Sequence, residues 1–331
     1  MAVRNVRAAL WVRRDIHGFA RLHFLCAADQ VGLIAALEKP ATAVELAARI
    51  GVTDHGLLES LLDVGVAVSE LACRGGRYSL KGGRIRAMAT RSGDALRAMV
   101  VEVADYHGSV YHHLPGRLAG RPRGRYVDRY DEVIARASMF MEPYITRFVE
   151  EVVRTNHART LLEIGCGSGI YLRAAARASN SITGVGIDVS ERAVELASRN
   201  LQNWGVADRF HVRHADIRVP DPELAGPYDI ISLHNNIYYF GEDERADLFA
   251  DLKRRLAPHG KIILVSLFKG KTISSADLDL VLRSTEGNSP LPERTELSAV
   301  LRDAGFTSLQ LRRLLPNEPL YGIVAAIGSR E

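Results

Sequence analysis

The run Glu163-Ile164-Gly165-Cys166-Gly167-Ser168-Gly169 constrains this chain more than any other feature. It ends a short apolar segment that starts at Thr160 and opens an amphipathic one that starts at Ile170. Glycine tolerates the left-handed backbone of a tight strand-to-helix turn, and it lets the main chain approach a ligand that side chains would keep away. Strand, glycine turn and helix make one unit of a parallel α/β sheet, and this texture repeats from Ala158 onward. Strands are expected at 160–164, 182–187, 210–214, 228–233, 261–267, 309–315 and 321–327, with helices at 170–178, 191–204, 244–256 and 295–304. A dinucleotide fingerprint needs glycine at the first, third and sixth positions. The sixth here is Ile170. The turn therefore suits a zwitterion better than a pyrophosphate, with Glu163 suited to an ammonium, indirectly or through water.

Two acids stand at the ends of the next two strands. Asp188 closes Gly184-Val185-Gly186-Ile187-Asp188, where a carboxylate can accept from both ribose hydroxyls. Asp216, in His214-Ala215-Asp216-Ile217, sits where a carboxylate can accept from an adenine amino group. Read alone, each acid is as well explained by a helix cap or a surface charge. Read together with the glycine turn, they describe a receptor for an adenosyl amino acid.

At 331 residues the chain has room for two domains. A net charge of +4 is too diffuse to imply nucleic acid. Cys26, Cys73 and Cys166 stand far apart, which suggests neither a zinc site nor a disulfide framework and fits a reducing cytoplasm. No apolar run approaches the roughly 18 residues of a membrane span. Met1 to Arg14 is arginine-rich and acid-poor; a transit peptide or an interfacial helix has this composition, and so does a helix packed on a partner or on the next helix. Leu22 to Leu37 reads as an apolar helix, Thr42-Ala43-Val44-Glu45 as a capping box, and Asp54 to Val64 as a further helix closed by Gly65. Val66–Val68 and Tyr78–Leu80 are expected to pair around Arg74-Gly75-Gly76-Arg77. Helix, turn, helix and ribbon make a winged-helix pattern. The expected organisation is a helical winged-helix-like dimerisation domain over 1–91, linking helices that cover a pocket over 92–155, and a cofactor-binding domain over 156–331.

On Glu163–Gly169, Asp188 and Asp216, the segment from about 158 to 327 resembles the class I S-adenosylmethionine (SAM)-dependent methyltransferases. The resemblance implies an α/β fold with a Rossmann-like seven-stranded core whose last strand is antiparallel. It also implies cofactor contacts from Glu163, Gly165, Gly167, Gly169, Asp188, Val189, Asp216, Ile217 and His234, with S-adenosylhomocysteine (SAH) as product. The front half resembles that of small-molecule O-methyltransferases with an N-terminal dimerisation domain, which implies a homodimer. Ala137-Ser138-Met139-Phe140-Met141 is similar to that family's helix across cofactor and substrate, where soft sulfur and aromatic surface are useful. Read on its own, the same stripe is as easily core.

The fourth strand of the core runs into His234-Asn235-Asn236-Ile237-Tyr238-Tyr239, at the carboxyl edge where open parallel sheets bind ligands. The family's base histidine precedes its Pro-x-Gly turn by a fixed distance. Counting back from Gly260 puts Tyr238 there. The departure leaves two candidate catalytic groups, His234 and Tyr238, and a reaction that works largely by holding a nucleophile in line in a dry pocket. Tyr106, Met139, Met141, Asn235 and Tyr239 are the candidate substrate contacts. A metal-dependent variant of the fold uses a His-Asp pair after this strand; His234-Asn235 offers an amide instead, a poor ligand, so no metal is expected. The segment also resembles that of 2-oxo-acid (2-ketoarginine-type) methyltransferases. The acceptor expected is a phenol, an indole or a 2-oxo acid from natural-product metabolism, methylated on oxygen or carbon.

Two other functions compete. A winged-helix DNA reader would present Asp54 to Asp63, which carries three acids and no arginine or lysine, the wrong charge for phosphate. A fold relative that binds the cofactor but performs other chemistry would have the same motifs. No nucleic-acid or membrane partner is expected.

Overall fold

The computed structural model describes residues 3–328, so the first two residues of the arginine-rich N-terminal segment lie outside them. The chain divides into two compact units, Met1–Pro115 with Tyr126–Phe140, and Gly116–Arg125 with Met141–Glu331. Residues 92–155 are shared between these units, and residues 116–125 belong to the second one. There Gly124 exchanges main-chain hydrogen bonds with Ser284 and Glu286, 2.9 Å each, which ties down the Thr285–Pro290 segment.

The first unit opens on one long helix, Val3–Gln30, that breaks at Gly32, whose φ of 76° no helix accepts. The expected continuous helix from Leu22 to Leu37 is thus two helices. Its apolar residues Phe24, Leu25, Leu33, Ile34 and Leu37 are buried in the unit's own core with Leu46, Leu58, Leu62 and Met88. The exposed apolar residues of the Val3–Gln30 helix lie earlier, at Leu10, Trp11, Val12, Ile16 and Phe19. Thr42 and Glu45 form the expected reciprocal cap. The following helix is His55–Ala67, capped by Asp54. Gly65 lies inside it rather than after it: a Cβ there would stand 2.6 Å from Phe24 Cε2. Val66–Val68 is therefore helical or capping, and the wing is built one step later from strands β1 (Leu71–Arg74) and β2 (Arg77–Leu80). The unit is helical with a two-stranded wing, not all-helical.

In the second unit, seven strands follow: β3 (Thr160–Ile164), β4 (Thr183–Asp188), β5 (Phe210–His214), β6 (Tyr228–His234), β7 (Leu256–Leu267), β8 (Ser308–Arg313) and β9 (Leu320–Ala326). Their order in the sheet is β5-β4-β3-β6-β7-β9-β8, with β9 antiparallel to both its neighbours. β6 is buried along nearly its whole length, as a central parallel strand covered on both faces must be. Alternate residues feed two apolar clusters. Leu161, Ile230, Ile263 and Val324 join the helices Glu142–Thr155 and Ile170–Ala178 on one face, whereas Leu162, Ile231, Ile262 and Ile323 pack on the other. The chain winds outward from β3 to β5 and then returns to β6, so the winding direction reverses between β3 and β6. Ligands of open α/β sheets bind in the crevice at such a reversal.

Candidate functional site

The glycine turn leaves β3 at that reversal. Gly165, Gly167 and Gly169 all have positive φ (66°, 52° and 77°). At Gly165 the reason is space as well as conformation: a Cβ would stand 2.6 Å from Asn236 Nδ2, which donates to the carbonyl of Ile164 over the same distance. The loop after β6 thus closes on the turn. Asp188, at the end of β4, accepts from the Gly167 amide at 3.0 Å and from the Ser190 amide at 2.9 Å, fixing both turns at once. Its remaining lone pairs are available to a diol.

Register places Glu163 between Gly186 of β4 and Ser232 of β6. It is 1% exposed, and neither carboxylate oxygen has a hydrogen-bond partner of ordinary geometry. Burial, reinforced by the charge of Asp188, pushes its carboxyl well above the usual range, and the Leu172 amide offsets this only in part. Ser232 Oγ, both ring nitrogens of His234, and the side-chain oxygens of Asn235 and Asn236 are likewise buried without partners. Buried polar atoms are satisfied nine times in ten or more. Together these atoms make one sheet edge rich in buried polar groups that no protein group satisfies with ordinary geometry.

His234 stacks on Tyr171, ring centroids 4.3 Å apart. Burial lowers the imidazole to about 3, so at neutral pH it is uncharged and a weak proton acceptor. Tyr171 was not singled out in the sequence, where it looks like any aromatic in the first turn of a helix. Its phenol is pushed up by burial and then by the charges of Glu142 and Glu163, so it stays protonated. Tyr238 is not brought together with His234: its ring packs with the cluster on the sheet's other face and meets Tyr239 edge-on at 4.9 Å. Asn235 adopts a left-handed φ of 52°, its amide donating to Val265 at 2.7 Å.

At the far end, Ile217 is buried in the core and Val189 is exposed. The Asp216 carboxylate is held by Arg218 through a pair of bonds, Nε to Oδ1 at 2.9 Å and Nη2 to Oδ2 at 2.7 Å, which lowers its pKa. An adenine amino group would share that carboxylate with a guanidinium, which the sequence reading did not anticipate. Met141 packs against the cluster that holds Tyr171. Tyr106 and Met139 belong to the first unit, where Tyr106 is buried in a stack on Tyr130, centroids 5.2 Å apart, and Met139 is exposed. Among the described residues no three His, Cys, Asp or Glu side chains cluster as a metal site, and no helix is long and apolar enough to cross a membrane.

Residues 161–260 match the model of a methyltransferase domain. The chain is 36% identical over 73 residues to the rRNA N(6)-adenosine-methyltransferase metl-5 of Caenorhabditis elegans, but spans only 34% of that protein's length. It is 29% identical over 196 residues to the ubiquinone biosynthesis O-methyltransferase of Bordetella avium, covering 57% of this chain and 78% of that one. The structure of human N-acetylserotonin methyltransferase in complex with SAM superposes with a TM-score of 0.79 at 16% identity, over 99% of this chain and 100% of that one. A methyltransferase-type domain thus occupies residues 161–260, in a fold shared with N-acetylserotonin methyltransferase; the chain spans 34% and 39% of the length of the first two curated relatives it matches. The seven-stranded α/β sheet and the helical N-terminal unit with its wing are both found in that fold.

Proposed function

We propose that the chain transfers a methyl group from SAM to a small acceptor, a phenol, an indole or a 2-oxo acid of natural-product metabolism, on oxygen or carbon. The observation that carries this reading is Glu163, a buried carboxylate behind the glycine turn with no cation beside it, with Asp188 bound to the turn's own amide. When bound, SAM supplies an electrophilic methyl carried on a sulfonium. The Gly165–Gly169 main chain and Glu163 hold the amino-acid end, Asp188 the ribose, and Ile217 with Asp216 the adenine, while Val189 lies along the ribose turn. Tyr171 and His234 exclude water from the reacting end, and Asn235 orients the acceptor by hydrogen bonding without titrating. Positioning in a dry, preorganised site supplies most of the rate.

His234 serves as neutral wall rather than as base, because an imidazole held near 3 takes up few protons at neutral pH. Tyr238 supports the wall from the other cluster, with Tyr239 beside it. Met141 borders the acceptor. A second copy of the chain covers the exposed apolar stripe of the Val3–Gln30 helix, and the acidic helix His55–Ala67 argues against DNA. The reading places the enzyme in the cytoplasm.

Calorimetry with SAM and with SAH tests the cofactor, and formation of SAH in the presence of phenolic, indolic and 2-oxo-acid acceptors tests the chemistry. Absence of heat with both cofactors refutes the whole reading. Binding without SAH formation under any acceptor supports the fold relative that does other chemistry.

A further inference from the structure

The helix Glu142–Thr155 buries Ile145, Phe148, Val149, Val152 and Val153, the three-and-four spacing of an inward stripe. Stepping back three residues from Ile145 reaches Glu142. A carboxylate thus occupies a position where the pattern asks for an apolar side chain. The helix packs along Ile170–Ala178, and the phenol of Tyr171, in that helix's first turn, feels the charge of Glu142. Tyr171 in turn stacks on His234 beside the glycine turn. Among the described residues no ion pair or hydrogen bond engages the Glu142 carboxylate. The amides of a helix's first turn normally favour an anion there. Here burial overrides them and raises Glu142 to about 7. From the packed helix the facing titratable group is Tyr171, with Glu163 beyond it; neither is a cation.

We propose that Glu142 is the counter-charge for the sulfonium end of SAM, so that the site prefers the methylated cofactor over its demethylated product. An acid with no protein cation near it, set beside the Tyr171 ring that stacks on His234, has its partner supplied by a cationic ligand bound at that edge. SAM carries an ammonium and a sulfonium; SAH keeps only the ammonium. A carboxylate that answers the sulfonium separates the two by one charge, and product release becomes easier once the methyl has left. This rests on the methyltransferase reading above.

The test is calorimetry on the full chain with SAM and SAH, each in two buffers of different ionisation heat. Glu142→Gln is expected to weaken SAM about tenfold and SAH less than about twofold, the effect of one partly screened charge. Wild type at pH 7 is expected to release about half a proton on binding SAM, and the variant none. SAM affinity of the wild type should rise with pH through about 7 and level off above it, because only the ionised carboxylate attracts the cation. Glu142→Gln removes a buried charge and should melt no lower than wild type; Glu142→Asp, which keeps the charge, should keep a preference for SAM. Equal weakening of both cofactors by Glu142→Gln, an unchanged proton count, or loss of the preference in Glu142→Asp overturns the assignment. Wild-type protein that binds neither cofactor instead overturns the reading on which it rests.

Discussion

Two glutamates, Glu70 in the first unit and Glu163 in the second, are each 1% exposed, and they have opposite surroundings. Glu70 meets Arg84 at 3.2 Å and Arg21 at 3.6 Å and accepts from the Ile85 amide at 3.3 Å. Gly82 stands against it because any Cβ there would overlap the carboxylate. Glu163 has no cation and no hydrogen bond of ordinary geometry. A buried charge is tolerated when it is paired, and left unpaired it raises its pKa or awaits a partner. The first carboxylate is neutralised by its own surroundings; the second is not, which leaves it to the cofactor ammonium proposed above. The contrast shows that burial of an acid says little about function until its partners have been counted.

The comparison breaks if the two sites respond alike to substitution. Glu70→Ala should lower the unfolding free energy by about 3 kcal/mol, because it strands an amide and two arginines at a packed junction. Cofactor affinity should stay within about twofold, since the partners of Glu70 (Arg21, Arg84 and Ile85) all belong to the first unit. Denaturant melts and calorimetry on the same sample read both. Asp188 is the intermediate case, half occupied by protein amides. Asp188→Ala should weaken SAM about thirtyfold, the loss of charge-assisted hydrogen bonds to a diol. Unchanged affinity removes Asp188 from the ribose site.

Glu163→Gln should do the reverse of Glu70→Ala to the empty protein. The folded-state pKa of Glu163 lies above its ordinary 4.5, so the fold binds the proton more tightly than the unfolded chain. The wild type then loses stability as pH rises from 4.5 towards that raised value, and the amide abolishes this loss. The variant should be more stable than wild type at pH 8 and no more stable at pH 4. SAM and SAH should both weaken by about tenfold, because both carry the ammonium. A variant less stable than wild type at pH 8 makes Glu163 another Glu70.

Much of this was legible in the sequence, for identifiable reasons. The core strands and the turn at Gly165 follow from hydrophobic period and glycine spacing, local signals that tertiary packing reinforces. The wing was displaced by a few residues because Val66 and Val68 favour strand while Gly65 packs into a helix against Phe24, a contact 41 positions away in sequence. The helix Ile273–Ser284 was missed altogether: its polar first turn, Ile273-Ser274-Ser275, resembles a loop until the Thr272 cap is seen. In the site, acids after strands were readable because position along a strand fixes them at the carboxyl edge. Glu142 was not, since an acid at a helix start is ordinary, and only the inward stripe beginning at Ile145 shows that this one faces the interior. Arg218 on Asp216 was invisible for a similar reason, because pairing between close neighbours depends on rotamers.

The smallest expected effect concerns the two tyrosines that sequence position alone does not distinguish. Tyr171 belongs to the cluster that holds Met141 and faces His234; Tyr238 packs with the cluster on the opposite face of the sheet. Replacing the Tyr238 phenol by phenylalanine removes one hydroxyl and keeps the ring that packs on the cluster, a surface-like change of about 0.5 kcal/mol or less. Tyr238→Phe should therefore leave SAM affinity within about twofold and lower the melting temperature by a few degrees at most. Turnover should follow the small loss of rigidity rather than the loss of a proton acceptor, so its pH profile should keep the wild-type shape. A lost limb in that profile, with binding intact, would return Tyr238 to the reacting centre, where the count back from Gly260 first placed it.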